Sequence, residues 1–155
     1  ARVMFVGEGP GAEEDRTGVP FVGAAGQLLS GIIEKGMQLS RANDVYIANV
    51  VKCRPPENRD PTPQEKAICS AWLDRQIELV DPAVIVPLGS HAAGRLLRSA
   101  AGIGRLRGRV HQLDGRKLVP TYHPAYVLRQ SGPELAAVKA KVWDDIRLAM
   151  AELGL

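Results

Sequence analysis

Short apolar runs alternate along the chain with longer segments typical of helices. Four runs have the length and composition of buried strands, at 2–6, 45–51, 83–88 and 118–121. Apolar spacing or capping residues predict helices at 23–37, 62–80, 90–101 and 134–153. A parallel pair of strands needs a crossover connection, which is usually a helix. The alternation therefore predicts an α/β fold with a mostly parallel sheet.

Glycine or polar residues lie close to the carboxyl ends of the predicted strands. These segments begin at Gly7, Asn49, Gly89 and His123. Ligands of open α/β sheets bind beyond the carboxyl ends of the strands, and those ends meet along one edge. We therefore expect the four segments to converge on one site, although they lie far apart in sequence.

The composition is that of one globular domain. Of the 155 residues, 45% are hydrophobic and 24% are charged, and we predict a single domain over 1–155. No apolar run approaches the ~20 residues of a membrane-spanning helix, and no signal peptide precedes the first strand. We therefore expect a cytoplasmic protein without a membrane partner. The absence of a heptad pattern predicts a monomer.

Positive charge is concentrated in one part of the chain. The net charge is only +3, yet residues 95–117 contain seven basic residues against one acidic residue. Such a stretch either faces a polyanion such as nucleic acid or forms a solvated loop.

The segment from Gly7 to Ala12 fits the loose dinucleotide-binding pattern G-x-G-x-x-A. Two features count against a Rossmann site: no acidic residue ends the second strand, and the loop TGVPFVG interrupts the expected helix. The glycines otherwise permit a tight turn, or let backbone N–H groups approach a ligand.

Several single residues are candidates for chemistry or for plain structure. Phe21, in a loop between glycines, is either a core residue or a stacking surface. Asn49 either caps a turn or offers its amide to a ligand, because asparagine is rare in strands. His123, fixed between a strand end and a proline, is a catalytic candidate. Cys53 and Cys69 are either small buried residues or half of a metal site.

Three segments together resemble the family-four, iron–sulfur uracil-DNA glycosylases: GEGPGAEEDRTGVPFVGAAGQLL, VYIANVVKCRPPENRDPTPQE and PTYHPAYVLR. The resemblance runs from Val3 to about Arg129. It implies a three-layer α/β/α fold around a central, mostly parallel sheet of four strands. It also implies a base excision repair enzyme that hydrolyses the N-glycosidic bond of flipped-out uracil in DNA and leaves an abasic site.

The resemblance implies which residues perform the chemistry. His123 matches the histidine beside uracil O2, and Glu8 and Gly9 match the loop that faces the flipped base. Cleavage leaves negative charge on uracil, which such donors would stabilise as an oxyanion hole does. Gly9 stands where the best-known branch of the superfamily has a water-positioning aspartate. Water is therefore activated weakly or by another group.

The same resemblance implies a uracil-binding set. Phe21 would stack on the base, and Asn49 would bind its O4 and N3 edge. Glu14 would crowd the C5 position and so reject thymine. Gly9 and His123 complete this set.

The implied DNA contacts lie in two basic segments. A loop that wedges into the minor groove is matched by Tyr126, Leu128 and Arg129, for which an ordinary helix start is the alternative. A phosphate-contacting or structural role near the cleft is expected for Arg105, Arg107 and Arg109.

The resemblance also implies a 4Fe–4S cluster. Cys53 and Cys69 match the downstream half of the four cysteine ligands. The family's other two cysteines lie upstream of the first strand, so we expect a cysteine-bearing segment before Ala1.

Two rival functions remain open at this level. One is a non-catalytic relative that binds damaged nucleic acid with the same pocket, and the other is a dinucleotide-binding protein. The favoured partner is uracil-containing DNA, and the sequence does not show whether a replication clamp or a polymerase is also bound.

Overall fold

A computed structural model describes residues 2–9, 16–17, 21–50 and 62–155, with only the backbone at 65–70. The described strands are β1 (Val3–Gly7), β2 (Val45–Asn49), β3 (Val84–Pro87), β4 (His111–Leu113) and β5 (Arg116–Leu118). The described helices are α1 (Ala24–Gly31), which continues as a π-helical turn (Ile32–Gly36), α2 (Pro63–Val80), α3 (Ser90–Leu97), α4 (Ile103–Leu106), α5 (Pro124–Leu128) and α6 (Gly132–Leu153).

The described strands form one sheet in the order β2-β1-β3-β5-β4. Neighbours among the first four strands pair in parallel, and β4 pairs with β5 in antiparallel orientation. The predicted α/β class and mostly parallel sheet are confirmed. The sheet has five strands rather than the expected four, because a hairpin adds β4 at the edge. Asp114 and Gly115 form its two-residue turn, both with positive φ, as hairpins prefer.

The predicted strand at 118–121 is divided. Regular pairing ends at Leu118, and beyond it Thr121 forms an isolated parallel bridge with Leu88. Pro120 has no N–H to donate to a ladder. The segment still follows β3, since the Val119 N–H donates to Ile85 and the Thr121 N–H donates to Pro87. The backbone of Thr121 therefore reaches the carboxyl edge of the sheet.

Helices cover both faces of the sheet, which confirms the three layers. Along β1, Val3 and Phe5 join a buried cluster with residues of α1, the π-helical turn and α6. Met4 and Val6 point to the opposite face and join a cluster with residues of α2 and α3. Every residue of β1 is buried, as expected for a central parallel strand.

The predicted helices are present with changed ends. The segment at 23–37 closes in a π-helical turn, and the segment at 90–101 is helical only to Leu97. Arg98 ends α3 in the left-handed conformation, with φ of 53°. None of the helices in the described part of the chain is both long and apolar enough to cross a membrane.

Candidate functional site

The carboxyl ends of β1 and β2 meet at a point that only glycine can occupy. Gly7 is in register with Asn49, and the Val50 N–H donates to the Gly7 carbonyl over 2.9 Å. A Cβ atom on Gly7 would lie 2.5 Å from Phe21 Cζ and 2.7 Å from Asn49 Oδ1. Both side chains therefore pack directly against the Gly7 backbone, and the glycine is required for that close approach.

Phe21 is held in a strained backbone conformation beside this point. Its φ of 55° lies in the left-handed region, which is costly for a residue with a Cβ. The Phe21 backbone packs directly against Gly26 of α1, where a Cβ would lie 1.9 Å from the Phe21 carbonyl oxygen. A side chain at position 26 would therefore displace Phe21. The side chain is only 6% exposed. Phe21 is thus both a core residue and a wall of the site, so the two interpretations of the sequence are compatible.

Asn49 brings a buried amide to the same edge. It is the last residue of β2 and is only 7% exposed. A primary amide presents both donors and an acceptor. The position therefore suits recognition of a ligand edge that carries both kinds of group.

His123 lies two residues beyond Thr121, which forms the isolated bridge with Leu88. Its imidazole centroid is 5.6 Å from that of Phe21, with the ring planes 33° apart. Burial lowers the pKa of His123 to about 4, and the charge of Arg129 acts in the same direction. The imidazole is therefore neutral at pH 7.

A hydrogen bond fixes the tautomer of this neutral ring. The Ala125 N–H donates to His123 Nδ1 over 3.0 Å, which caps α5. Because Nδ1 accepts, the ring proton resides on Nε2. His123 can therefore act as a hydrogen-bond donor through Nε2 while carrying no charge.

A second glycine, Gly89, packs closely against His123. Gly89 has φ of 90°, and a Cβ there would lie 3.2 Å from His123 Cβ. The Gly89 N–H donates to the Thr121 carbonyl over 2.9 Å. α3 begins at the next residue, so its positive dipole end lies at this edge.

Glu8 follows β1 and interacts with a residue that the sequence analysis did not single out. Its Oε2 atom lies 3.5 Å from His91 Nε2, and both side chains are partly exposed. The sequence signal for His91 was its place in the first turn of a helix that starts after a strand-end glycine. Gly9 comes next and is partly buried.

Some predicted site residues lie outside the described part of the chain. Glu14 and Cys53 are among them, and Cys69 is described only as backbone within α2. Among the described residues, no group of three or more His, Cys, Asp or Glu side chains could hold a metal ion.

Three arginines of the basic segment differ in their surroundings. Arg105 and Arg109 are exposed, whereas Arg107 donates through Nε and Nη2 to the two carboxylate oxygens of Asp145, each over 2.9 Å. That side-chain hydrogen bond raises the pKa of Arg107. Asp145 is fully buried. The structure therefore favours the structural alternative for Arg107 over a phosphate contact.

The segment predicted as a wedge forms the short helix α5, as the alternative interpretation of a helix start predicts. The wedge role stays a prediction. The helix presents Tyr126, 37% exposed, and Leu128, 48% exposed, to solvent. The Arg129 guanidinium lies 6.0 Å from the Tyr126 ring centroid. Val127, between the two exposed residues, is buried in the core and anchors the helix.

Comparisons with known proteins show which family the sequence resembles. The family described as the uracil DNA glycosylase superfamily matches residues 1–147. The type-4 uracil-DNA glycosylase of Thermotoga maritima is 49% identical over 151 residues, covering 96% of this chain and 76% of the relative. That of Saccharolobus solfataricus is 46% identical over 136 residues, covering 83% of this chain and 62% of the relative. The type-5 enzyme of Pyrobaculum aerophilum is 34% identical over 169 residues, covering 99% of this chain and 73% of the relative.

The chain belongs to the uracil DNA glycosylase superfamily. Within it, identity to the two type-4 proteins, 46–49%, exceeds identity to the type-5 protein, 34%. The resemblance to the family-four glycosylases is confirmed.

Proposed function

We propose that the protein is a uracil-DNA glycosylase that hydrolyses the N-glycosidic bond of flipped-out uracil and leaves an abasic site. The observation that carries the proposal is that Phe21 and Asn49 pack against Gly7 while the His123 ring lies beside that of Phe21. The relative from Thermotoga maritima, 49% identical, is a type-4 uracil-DNA glycosylase. A paired base must leave the stack before an enzyme can reach its glycosidic bond, and these three side chains form a site for such a base.

Base recognition follows from the chemistry of the walls. The Phe21 ring offers a stacking surface worth ~1–3 kcal/mol per base. The Asn49 amide donates to uracil O4 and accepts from N3–H, whereas cytosine presents the opposite pair and leaves buried groups unsatisfied. Gly9 and Glu14 complete the proposed set, with Glu14 crowding C5 against thymine.

The neutral imidazole supports a role for His123 in leaving-group stabilisation. As the bond breaks, negative charge develops on uracil, and the Nε2–H group donates to O2. A neutral donor aimed at developing charge acts as an oxyanion-hole donor does. Backbone N–H groups near Gly9 would add to this effect. We propose that the Glu8 carboxylate, partly exposed directly after β1, holds the attacking water.

The DNA interface is proposed on the same edge. Tyr126 and Leu128 are apolar side chains exposed next to Arg129, which is the arrangement a minor-groove wedge uses. Exposed Arg105 and Arg109 would contact phosphates, which makes binding depend on salt.

Cys53 and Cys69 are proposed as two thiolate ligands of a 4Fe–4S cluster. Thiolate is the donor that such clusters use, and two thiolates are half of the set. The cluster would cross-link segments of the chain and takes no part in the steps above. Iron and sulfide content of the purified protein, with its visible absorbance, tests this proposal. A monomeric state and a cytoplasmic location are proposed with it.

A single-turnover assay tests the function. An oligonucleotide with one uracil is incubated with excess protein and then treated with alkali to cleave abasic sites, beside a matched thymine oligonucleotide. Cleavage of the uracil strand alone supports the proposal. His123→Ala should slow cleavage ~10²–10³-fold with little change in DNA affinity, by analogy with loss of an oxyanion-hole donor. Binding of uracil-containing DNA without cleavage would favour the non-catalytic alternative.

A further inference from the structure

A buried polar network lies directly behind the segment that carries His123. The carboxylate of Asp145, on α6, is fully buried. Its Oδ2 atom accepts from the Thr121 hydroxyl over 2.7 Å and from Arg107 Nε over 2.9 Å. Its Oδ1 atom accepts from Arg107 Nη2 over 2.9 Å. The side chains come from three separate parts of the chain and meet at one carboxylate.

The network holds Thr121, two residues before His123. Thr121 is only 1% exposed, and its N–H and carbonyl are bound to Pro87 and Gly89. Its hydroxyl bond to Asp145 adds a third constraint from the side of α6. The strand end from which His123 projects is therefore fixed by both backbone and side chain.

Arg107 also contacts Tyr122, the residue between Thr121 and His123. The Arg107 guanidinium lies 5.9 Å from the Tyr122 ring centroid, within reach of a cation–π contact. Tyr122 also stacks on Tyr126 of α5, with centroids 5.0 Å apart and planes 16° apart. The Asp145–Arg107 pair therefore contacts both residues that precede His123, Thr121 through Asp145 and Tyr122 through Arg107.

A fully buried carboxylate paired with a partly buried guanidinium needs an explanation beyond stability. Desolvation of the Asp145 carboxylate is expensive, and well-packed apolar residues in place of a buried ion pair are often as stable or more so. What charged, hydrogen-bonded groups supply and apolar groups do not is fixed direction. Here the directed contacts are the bond from the Thr121 hydroxyl to Asp145 and the contact of the Arg107 guanidinium with the Tyr122 ring.

We propose that Asp145 and Arg107, acting through Thr121 and Tyr122, are positioning residues that set the His123 imidazole for the reaction. This inference rests on the proposed uracil-DNA glycosylase function. None of these groups touches the base. Their effect is on the orientation of His123 Nε2, and misplacement of a catalytic group by about 1 Å can slow a reaction ~10²-fold.

The first test removes one hydroxyl. Thr121→Val keeps the shape of the side chain and deletes the bond to Asp145, and Thr121→Ser keeps the hydroxyl. We expect Thr121→Val to slow single-turnover uracil excision ~10–100-fold with unchanged DNA affinity, and Thr121→Ser to restore most of the rate. The ¹⁵N spectrum of the His123 imidazole should shift in Thr121→Val and not in Thr121→Ser.

Two further variants separate positioning from general stability and from DNA contact. Ile146→Val removes a methylene next to Asp145 on α6, so it should lower the melting temperature without changing the excision rate or the His123 spectrum. Arg107→Lys keeps the charge beside Asp145 and loses the paired hydrogen bonds. It should slow excision and shift the same spectrum while DNA affinity stays unchanged, and it serves as the test if Thr121→Val does not fold.

The outcomes distinguish this inference from the function on which it rests. A wild-type excision rate and His123 spectrum in folded Thr121→Val would overturn the positioning role, as would an equal loss of rate in Ile146→Val. Failure of the wild-type protein to excise uracil would instead overturn the proposed function. The His123 spectrum of Thr121→Val would still test the positioning role in that case.

Discussion

The ring of Phe21 and the imidazole of His123 lie 5.6 Å apart, centroid to centroid, with their planes 33° apart. One side chain comes from the loop before α1 and the other from the residue that caps α5, beyond the end of β5. An aromatic face and a neutral hydrogen-bond donor thereby stand on neighbouring walls of one site. Stacking and charge stabilisation can act on the same base from these two walls.

The depressed pKa of His123 predicts a pH dependence of stability. In the folded state the pKa is about 4, against an ordinary value of 6.5. Between these values the unfolded chain binds a proton that the folded protein does not, so the free energy of unfolding falls as pH falls from 6.5 toward 4 and is constant above 6.5 with respect to this group. The loss attributable to His123 is about 3 kcal/mol.

Urea unfolding of wild-type protein and His123→Gln at pH 7, 5 and 4 measures this contribution. The wild type should lose more stability than the variant over that interval, because the variant lacks the titrating ring. Parallel curves for the two proteins would show that His123 is not buried in its neutral form.

Asn49→Asp should abolish uracil excision or shift the preference toward cytosine. An ionised carboxylate only accepts hydrogen bonds, so it cannot donate to uracil O4, while it can accept from the cytosine amino group. We expect the uracil rate to fall at least tenfold, on the scale of losing a matched hydrogen bond in a buried site. Single-turnover assays on uracil and cytosine oligonucleotides measure both effects.

Asn43→Asp is the matched control, since Asn43 is exposed in the loop before β2. It introduces the same charge at a distance from the pocket and should leave excision unchanged. An Asn49→Asp protein that excises uracil at the normal rate would refute the role assigned to this amide.

Gly7→Ala should inactivate the site. The added methyl group would lie 2.5 Å from Phe21 Cζ and 2.7 Å from Asn49 Oδ1, so both walls must move. Gly31→Ala is the control, because a Cβ there meets nothing within 4 Å and the backbone is helical. That change should stabilise the protein by ~0.5–1 kcal/mol and leave excision unchanged.

Thermal unfolding and uracil excision, measured on both glycine variants, check the pair. Normal excision by Gly7→Ala would mean that the pocket tolerates displacement of Phe21 and Asn49, and the proposed geometry would then be wrong.

Arg105→Gln should weaken DNA binding equally for uracil-containing and ordinary strands. A phosphate contact carries no base specificity, and its loss lowers the slope of log affinity against log salt by about 1. Arg75→Gln on α2 removes an equally exposed charge away from the site and should leave the slope unchanged. Equal slopes for both variants and wild type would remove Arg105 from the DNA interface.

Much of the fold was predictable because it depends on local pattern. Apolar runs and helical spacing located the strands and helices, and their alternation implied parallel pairing. The edge strand β4 was missed because its three residues, the middle one exposed and the outer two partly buried, give no apolar run, although Asp114-Gly115 was a hairpin signal. The helix after Gly89 was predicted too long because propensity does not locate the left-handed residue at Arg98.

The placement of several candidate residues at one edge of the sheet was predictable from the sequence, and their mutual geometry was not. Residues after strand ends share one edge in any parallel sheet, which is why Gly7, Asn49 and His123 could be grouped from sequence. The role of Arg107 was not decided at that stage, because an arginine in a basic run is equally suited to a phosphate and to a buried carboxylate.

The sequence by itself determined the order of strands and helices, the glycines at the strand ends and the residue types of the pocket, because these depend on near neighbours along the chain. Only the tertiary structure decided that Arg107 pairs with Asp145, 38 positions away, and that His123 keeps its proton on Nε2. Both outcomes depend on which side chains and backbone groups come into contact when the helices pack against the sheet. Burial and hydrogen-bond direction then select one partner and one protonation state from several that the sequence allows.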